Sequence, residues 1–542
     1  MPWKQVIYPF DHLLLSLLVA AMPIAFIFWA LVIRKMKGYQ AAVITTLLTL
    51  LIAIFFYQMP IILALRATAH GVLYGLFPIC WIIITAVYLF NITVKTGQFE
   101  VIRYYMATVT ADRRLQALLI AFSFGAFLEG TAGFGTPVAI TAAMLVGLGF
   151  NPLYAAGICL IANTAPVAFG SIGIPITVAA QVSGLPEMAI SQMVGRTLPV
   201  LSLVLPFYLI VLMSGWKKAV EVLPAILVSG VSFAFFQWFT SNYLGPALPD
   251  IIAALASIVA LVIFLRFWQP RSIWRFSDEP AVDTKEVHHY KTPEILRALS
   301  PFIILTVMVL IWGIKPVKDF FNSWGQISIS LPGYDGQILR GDTGEPIVQV
   351  FKLNLMSAAG TAILFAVLLS IVLLRVKASI ALQIFVDTLR QLKYPVITIM
   401  SILGFAYLVN AAGISLTMAE ALSKTGWMFP FFAPLLGWLG VFITGSDTSS
   451  NALFSKIQST TASSIGVDPV VTVGANISGG VVGKMISPQS IAVAAAAGNL
   501  VGKESELFSF TVKHSFILLL LICIITMIQA YLLTWLIPVY SS

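Results

Sequence analysis

Three charged residues stand alone in long apolar surroundings. Glu129 is the only charge between Arg114 and Glu187, Asp447 the only one between Lys424 and Lys456, and Lys484 the only one between Asp468 and Lys503. An Asp or Lys at the centre of a membrane helix costs about 2.5–3.5 kcal/mol on the insertion scale, so such residues mark ion or proton paths. Carboxyls suit proton exchange, because burial favours the protonated form. A lysine supplies a counter-charge for a substrate acid or for one of the carboxyls. Each residue also has a plain structural role open to it. Glu129 could cap a chain break, Asp447 could N-cap a helix beginning at Thr448, and Lys484 could form a structural ion pair. The two kinds of role overlap, since a capping acid still exchanges a proton.

The three sit among small and hydroxylated residues. Glu129 lies in "GAFLEGTAGFGTPVAI" (125–140), Asp447 in "TGSDTSSN" (444–451) and Lys484 in "GANISGGVVGKMISPQSIAVA" (474–494). Glu129 and Asp447 are the expected proton-coupling residues. Thr131, Gly133, Thr136, Asn163, Thr164, Ser446, Thr448, Ser449, Asn476, Lys484, Ser487 and Gln489 are the expected substrate-binding set. Asn451, Ser478 and Ser490 line a cavity on one reading and satisfy broken backbone on another. Arg196 reads as a snorkelling side chain. Arg66 and His70 read as interfacial, and Asp11 and His12 as headgroup contacts.

These residues must be positioned by a membrane scaffold. The chain has 542 residues, 59% of them hydrophobic and 10% charged, with a mean hydropathy of +0.96; soluble domains carry about 25% charged residues. The expected fold class is an all-α polytopic membrane protein. Leu13–Ile33 is too long for a signal-peptide core and reads as a retained helix. Cys80, Cys159 and Cys523 lie far apart in apolar segments, so no metal set is expected, nor any cofactor. The net charge of +9 follows from cytoplasmic loops and not from nucleic acid.

A span needs about 20 apolar residues. Runs of that order cover 11–33, 40–59, 70–92, 191–214, 219–241, 249–267, 295–314, 353–374, 394–412 and 514–538. Basic residues set the orientation. Arg34, Lys35 and Lys37 put the N-terminus outside. Lys95, Arg103, Arg113, Arg114, then Lys217 and Lys218, then Arg266, Arg271, Arg275, Lys285, Lys291 and Arg297, then Arg375, Lys377, Arg390 and Lys393 mark inner loops. The 315–352 loop sets Lys315, Lys318 and Arg340 against Asp319, Asp335, Asp342 and Glu345 and suits the outside, where parity also places the C-terminus. Trp216, Trp268 and Trp312 fall near span ends, as an aromatic belt requires.

Two stretches, 115–185 and 428–502, are apolar but interrupted by Gly, Pro, Ser, Thr and Asn. They share a pattern. "ANTAPVAFGSIGIP" (162–175) and "ANISGGVVGKMISP" (475–488) have the spacing A-N-x6-G-x4-P, with Asn163 and Asn476 313 positions apart. "GAFLEGT" (125–131) matches "GVFITGS" (440–446) at an offset of 315. Three spans precede each stretch and one follows it. The first unit begins outside and the second inside, so the chain reads as two inverted repeats, each with a re-entrant hairpin and a broken helix. The expected layout is a first repeat over 1–214 (hairpin about 115–150, broken helix about 153–185). A linker helix pair and cytoplasmic loop follow over 215–292, then a second repeat over 293–542 (hairpin about 428–466, broken helix about 469–502). The breaks are expected at Asn163–Pro175 and Asn476–Pro488. Unwound backbone at membrane depth is buried in protein or faces water, and free N–H groups at a helix start favour an anion. Converging breaks therefore suit a small carboxylate.

"GAFLEGTAGFGTPVAITAAMLVGLGFNPLYAAG", "NTAPVAFGSIGIPI" and "GANISGGVVGKMISPQSIAVA" resemble the signature stretches of the lactate permease family, and the similarity extends through "YGLFPICWIII" (74–84) and "SNYLGPALPDI" (241–251). The resemblance implies a bacterial inner-membrane carrier that imports lactate, and glycolate, by proton symport. Its partners would be a small 2-hydroxy monocarboxylate, a proton and the bilayer, with no nucleic acid. The family commonly has alanine where this chain has Thr131 and Thr136, so two added hydroxyls bear on substrate preference. A sodium-coupled carrier of di- or tricarboxylates is the alternative, weakened by the single cation at the expected site. A membrane enzyme lacks support, since the chain has five histidines and neither HExxH nor G-x-S-x-G. The glycines of "GTAGFG" do not follow a strand of a βαβ unit. A passive channel would not need paired inverted breaks.

Overall fold

The computed structural model describes residues 2–133, 135–276, 290–341, 343–347 and 350–540. Phe134, Lys285 and Asp342, counted above in motifs and loops, lie outside them. Among the described residues, eleven helices are long and apolar enough to cross a membrane, or twelve when the pair Pro152–Ala162 and Val167–Ser183, bent by 62°, is taken as one. The chain is an all-α polytopic membrane protein, with two small two-stranded sheets among the described residues.

The spans differ from the apolar runs where a helix outlasts its apolar stretch. The expected 394–412 span is the second half of the 35-residue helix Ala378–Ala412, whose first half carries Gln383, Asp387 and Arg390. The expected 70–92 span begins earlier, within Ile61–Lys95, and is interrupted at Gly75–Cys80, where Phe77 is extended. Arg66 and His70 thus sit on helix Ile61–Tyr74. The 353–374 run yields only the 15-residue helix Ala359–Leu373, because Val350–Asn354 pairs as a strand with Gln326–Ser330.

Contacts between loops agree with the orientation read from basic residues. On the expected inner face, Arg114 donates to Lys218 O (2.8 Å) and Ser272 O (3.0 Å), and pairs with Asp112 and Glu221. One buried guanidinium therefore ties three basic loops together. Tyr39 stacks on Tyr394 on the same face, with ring centroids 4.6 Å apart. On the expected outer face, Trp3–Lys4 pairs with Ile338–Leu339, and Arg66 donates to Gly333 O.

Both interrupted stretches form a helix, a short break and a second helix. In the first, Gly125–Thr131 ends and Thr136–Gly147 restarts with Pro137 in its first turn, where proline's missing N–H costs nothing. Asn151 then caps Pro152–Ala162 through Leu153 N. In the second stretch, Phe429–Thr444 and Asp447–Ser464 are separated only by Gly445 and Ser446, and Asp468 caps Pro469–Lys484.

The two broken helices are not alike. In the first, the helix is lost from Asn163, and Ser171, Ile172 and Gly173 are all left-handed (φ 48°, 60° and 75°) before the half-helix resumes at Ile174. In the second, the expected break at Asn476–Pro488 shrinks to Met485–Ser487, and the helix runs unbroken through Asn476 to Lys484. Glycine explains the continuity. Gly437, Gly479 and Gly483 let Phe429–Thr444 and Pro469–Lys484 approach so closely that an added β-carbon would strike the backbone carbonyls of Asn476, Pro434 and Trp438. Close packing through small residues holds membrane helices together without a hydrophobic driving force, and here it fixes residues 474–484 as helix.

Candidate functional site

The helix ends and breaks converge on one cavity. Glu129 reaches it from the end of Gly125–Thr131, Ser446, Asp447 and Thr448 from the second break, and Lys484 from the last residue of its helix. Gln489 and Ser490 come from the first turn of Pro488–Ala497, and Gly170, Ser171, Ile174 and Pro175 from the left-handed turn. The space open to a water's centre is about 70 Å³, against about 10–15 Å³ for a single water.

Lys484 Nζ lies 2.7 Å from Glu129 Oε1, and the two side chains are 11% and 4% exposed. Residues 355 positions apart, each alone in its apolar stretch, are therefore direct partners. Glu129 Oε2 has no hydrogen-bond partner. Asp447 is buried, and neither of its carboxylate oxygens is hydrogen-bonded. It is the first residue of its helix, where an acid is favourable, but it is not the cap. Ser446 is the N-cap, accepting from Ser449 N at 3.3 Å.

Each of these polar side chains lies against a glycine. Glu129 rests on Gly170, Asp447 on Gly480 and Gln489 on Gly445, so that a β-carbon at any of the three would displace it. A third acid shows the same arrangement. Asp250, near the start of Pro249–Phe267, rests against Gly130. It is 1% exposed, and neither of its oxygens has a hydrogen-bond partner. Sequence reading missed it because "ALPD" opens a span and looks like an interfacial helix start. The glycine next to Glu129 was the available signal.

Of the residues expected at the site, Glu129, Ser446, Asp447, Thr448, Lys484 and Gln489 line the cavity. The others do not. Thr131 donates back to Phe127 O (3.0 Å) and Thr164 to Ile161 O (2.6 Å), so both hydroxyls serve their own helices. Gly133 packs on Ser171, Thr136 opens its helix, and Asn163 ends one. Ser487 caps Pro488–Ala497 through Ser490 N. Asn476 instead belongs to a buried amide relay: Gln458 Nε2 donates to Asn476 Oδ1 (3.1 Å), Asn476 Nδ2 to Asn451 Oδ1 (2.9 Å), and Asn451 Nδ2 to Pro175 O (3.1 Å). The relay ties both interrupted stretches together beside the cavity. Ser449 lines a larger space of 570 Å³ on the face of Lys37, Tyr39 and Tyr394, and this space shares Ser446, Thr448 and Gln489 with the central cavity.

No group of three or more His, Cys, Asp or Glu side chains among the described residues is placed to hold a metal ion. Among the described residues, the cavity is lined by one cation, Lys484, and two buried acids, Glu129 and Asp447, with Asp250 behind Gly130 and helix ends around it.

The L-lactate permease family profile matches residues 16–533. The L-lactate permease of Bacillus subtilis (strain 168) is 54% identical, over 99% of this chain and 100% of that protein. The L-lactate permease of Escherichia coli (strain K12) is 52% identical, over 99% and 100%. The glycolate permease GlcA of the same strain is 51% identical, over 98% and 99%. A solved transporter of Alcanivorax borkumensis, YdaH, is similar over 84% of this chain and 86% of that one, at 12% identity and a TM-score of 0.45. With its membrane-spanning helices and a match along nearly its whole length, the chain is a transport protein and not an enzyme, and it belongs to the L-lactate permease family.

Proposed function

We propose that this protein imports lactate, and glycolate, across the bacterial cytoplasmic membrane by proton symport, with Glu129 as the proton-carrying group. The Glu129–Lys484 pair at 2.7 Å carries the reading. One buried ammonium faces a cavity and already holds one carboxylate. A substrate carboxylate entering that cavity competes with Glu129 for Lys484. The displaced Glu129 would be an unpaired buried charge, which costs several kcal/mol, unless it takes a proton. Substrate and proton then bind together, and the net charge of the site is unchanged. Asp447, at a helix N-terminus without a hydrogen-bond partner, is the second candidate for the proton. Ser446, Thr448, Gln489 and Ser490 offer hydroxyl and amide groups to the substrate's carboxylate and 2-hydroxyl. The names of the relatives support the substrate class, lactate and glycolate each being a 2-hydroxy monocarboxylate.

Alternation of access would follow from two inverted repeats, 1–214 and 293–542, around the linker 215–292. Supporting this, the turn before Pro152 packs with the basic inner loop through Phe150 and Phe276. The turn before Pro469 meets instead the C-terminal Tyr540, whose hydroxyl donates to Asp468 at 2.7 Å. The test is L-lactate uptake into proteoliposomes under an inward proton gradient without sodium. Wild type is expected to accumulate lactate, and Glu129→Gln to keep lactate exchange while losing gradient-driven accumulation. Accumulation that requires sodium, or that persists in Glu129→Gln, would refute the assignment; loss in Asp447→Asn alone would move the proton there.

A further inference from the structure

The central cavity is unequally walled. Toward the expected outer face, a space of 350 Å³ lies beside Gln5, Ser183 and Asn410. Among the described residues it shares no lining side chain with the central cavity. Along the half-helix between them, Pro175 lines the central cavity and Gln181 the outer space, a rise of about 9 Å for six residues. Hydrogen bonds hold this wall together. Asn451 Nδ2 donates to Pro175 O at 3.1 Å, and Asn476 of the amide relay holds Asn451 from behind.

Toward the expected inner face, the separation is one layer of side chains. The 570 Å³ space beside Lys37, Tyr39 and Tyr394 shares Ser446, Thr448 and Gln489 with the central cavity. All three are polar and none is buried. Gln489 is exposed and lies where a β-carbon on Gly445 would be. Gly445 is left-handed (φ 70°), a conformation that glycine adopts at no steric cost. The hairpin tip therefore forms a seat for that side chain.

The walls of the inner space include Leu31, Met36 and Ile399, which would suit a lipid chain. The same space also borders both chain breaks of the 428–502 stretch. Thr444 and Ser446 flank Gly445, and Pro488 and Gln489 follow the break at Met485–Ser487. Backbone that leaves a helix at membrane depth is buried in protein or faces water. Pro488 and Gln489 are exposed, so this backbone faces water where the two spaces meet. A hydrated carboxylate can follow such a route, exchanging water for the hydroxyls of Ser446 and Thr448 and the amide of Gln489.

We propose that the inner space is the release path of the substrate and that the carrier here faces inward, with Gln489 seated on Gly445 as the gate. Release requires Gln489 to leave Gly445. Opening outward requires the half-helix to part from Asp447–Ser464 along the Asn451–Pro175 bond. The choice of lactate as the passing anion rests on the transport function proposed above; the side to which the cavity opens does not.

The experiment reads the side from which a cysteine is reached. Cys80, Cys159 and Cys523 are replaced by alanine in the full-length protein. A single cysteine is then returned at Thr398, which lines the inner space and not the central cavity, or at Val493, which lines the central cavity and not the inner space. The Thr398 hydroxyl donates to Tyr394 O of its own helix (2.9 Å), so Thr398→Cys is expected to transport lactate. Membrane vesicles of each orientation are treated with sulfonatoethyl methanethiosulfonate, an anion that does not cross a bilayer. Both cysteines are expected to react faster in inside-out than in right-side-out vesicles, and modification of Thr398→Cys is expected to abolish lactate uptake. Labelling needs neither lactate nor a gradient, and uptake by the cysteine-free background reports on the transport function separately. A Thr398→Cys that reacts with membrane-permeant N-ethylmaleimide but not with the anion would mean a lipid-filled cleft and overturn the proposal. So would either cysteine reacting no faster from the inner side, or a modified Thr398→Cys that transports at the unmodified rate.

Discussion

Replacing Lys484 by methionine removes the only cation among the described residues that line the central cavity, and with it the ion-pair partner of Glu129. The pair is enclosed, with side chains 11% and 4% exposed, and breaking such a pair from one side costs about 3–5 kcal/mol. Lys484→Met is therefore expected to lose about 3–5 kcal/mol of stability. Adding Glu129→Gln should recover most of the loss, because the buried charge is gone. Equilibrium unfolding in mixed micelles, run as a double-mutant cycle, measures each quantity. A loss below about 1 kcal/mol, or an additive double variant, would refute the premise that this is a desolvated pair.

Two further outcomes are expected. Asp250→Asn keeps the shape of a buried acid with no hydrogen-bond partner beside Gly130 but cannot release a proton. If Asp250 is neutral throughout the transport cycle, lactate uptake by this variant keeps the wild-type pH profile, and a displaced profile would make Asp250 part of the proton path. Gly437→Ala sets a methyl group against the Asn476 carbonyl across the contact between Phe429–Thr444 and Pro469–Lys484. Overpacking costs about 1–3 kcal/mol, read as a lowered unfolding midpoint in the same micelle assay, and a neutral result would mean that the two helices separate easily.

The membrane fold and three charged residues that meet at the candidate cavity were legible in the sequence. Lone charges in apolar stretches are expensive, so Glu129, Asp447 and Lys484 announced themselves without any structure. The paired motifs at 125–131 and 440–446 located both helix breaks. What could not be read was direction. Thr131 and Thr164 have the right chemistry for a substrate, yet in a helix a hydroxyl bonds its own backbone three or four residues back unless something better faces it. Asn476 matches Asn163 in the repeat, but the glycine seam against Phe429–Thr444 keeps Asn476 helical while Asn163 ends a helix. Helix lengths failed for a related reason. Hydropathy measures where a chain is apolar, and Ala378–Ala412 continues as helix into the polar region where its backbone bonds remain satisfied. Asp250 was hidden by its position at the head of a span. Only the packing of Gly130 shows that this head is buried at the site and not at the membrane surface.

The single ammonium also bears on what the proposed site would accept. A monocarboxylate that takes the place of Glu129 on Lys484 leaves the pair neutral once Glu129 is protonated. A dicarboxylate leaves one further negative charge beside Asp447, with no cation among the described lining residues to meet it. An uncompensated buried ion costs several kcal/mol, which is a discrimination of at least a hundredfold at 1.36 kcal/mol per factor of ten. Lactate and glycolate, by contrast, carry the same charge and the same 2-hydroxyl and differ by one methyl group, worth about 0.8 kcal/mol when buried. A site governed by charge separates the first pair of substrates strongly and the second only weakly.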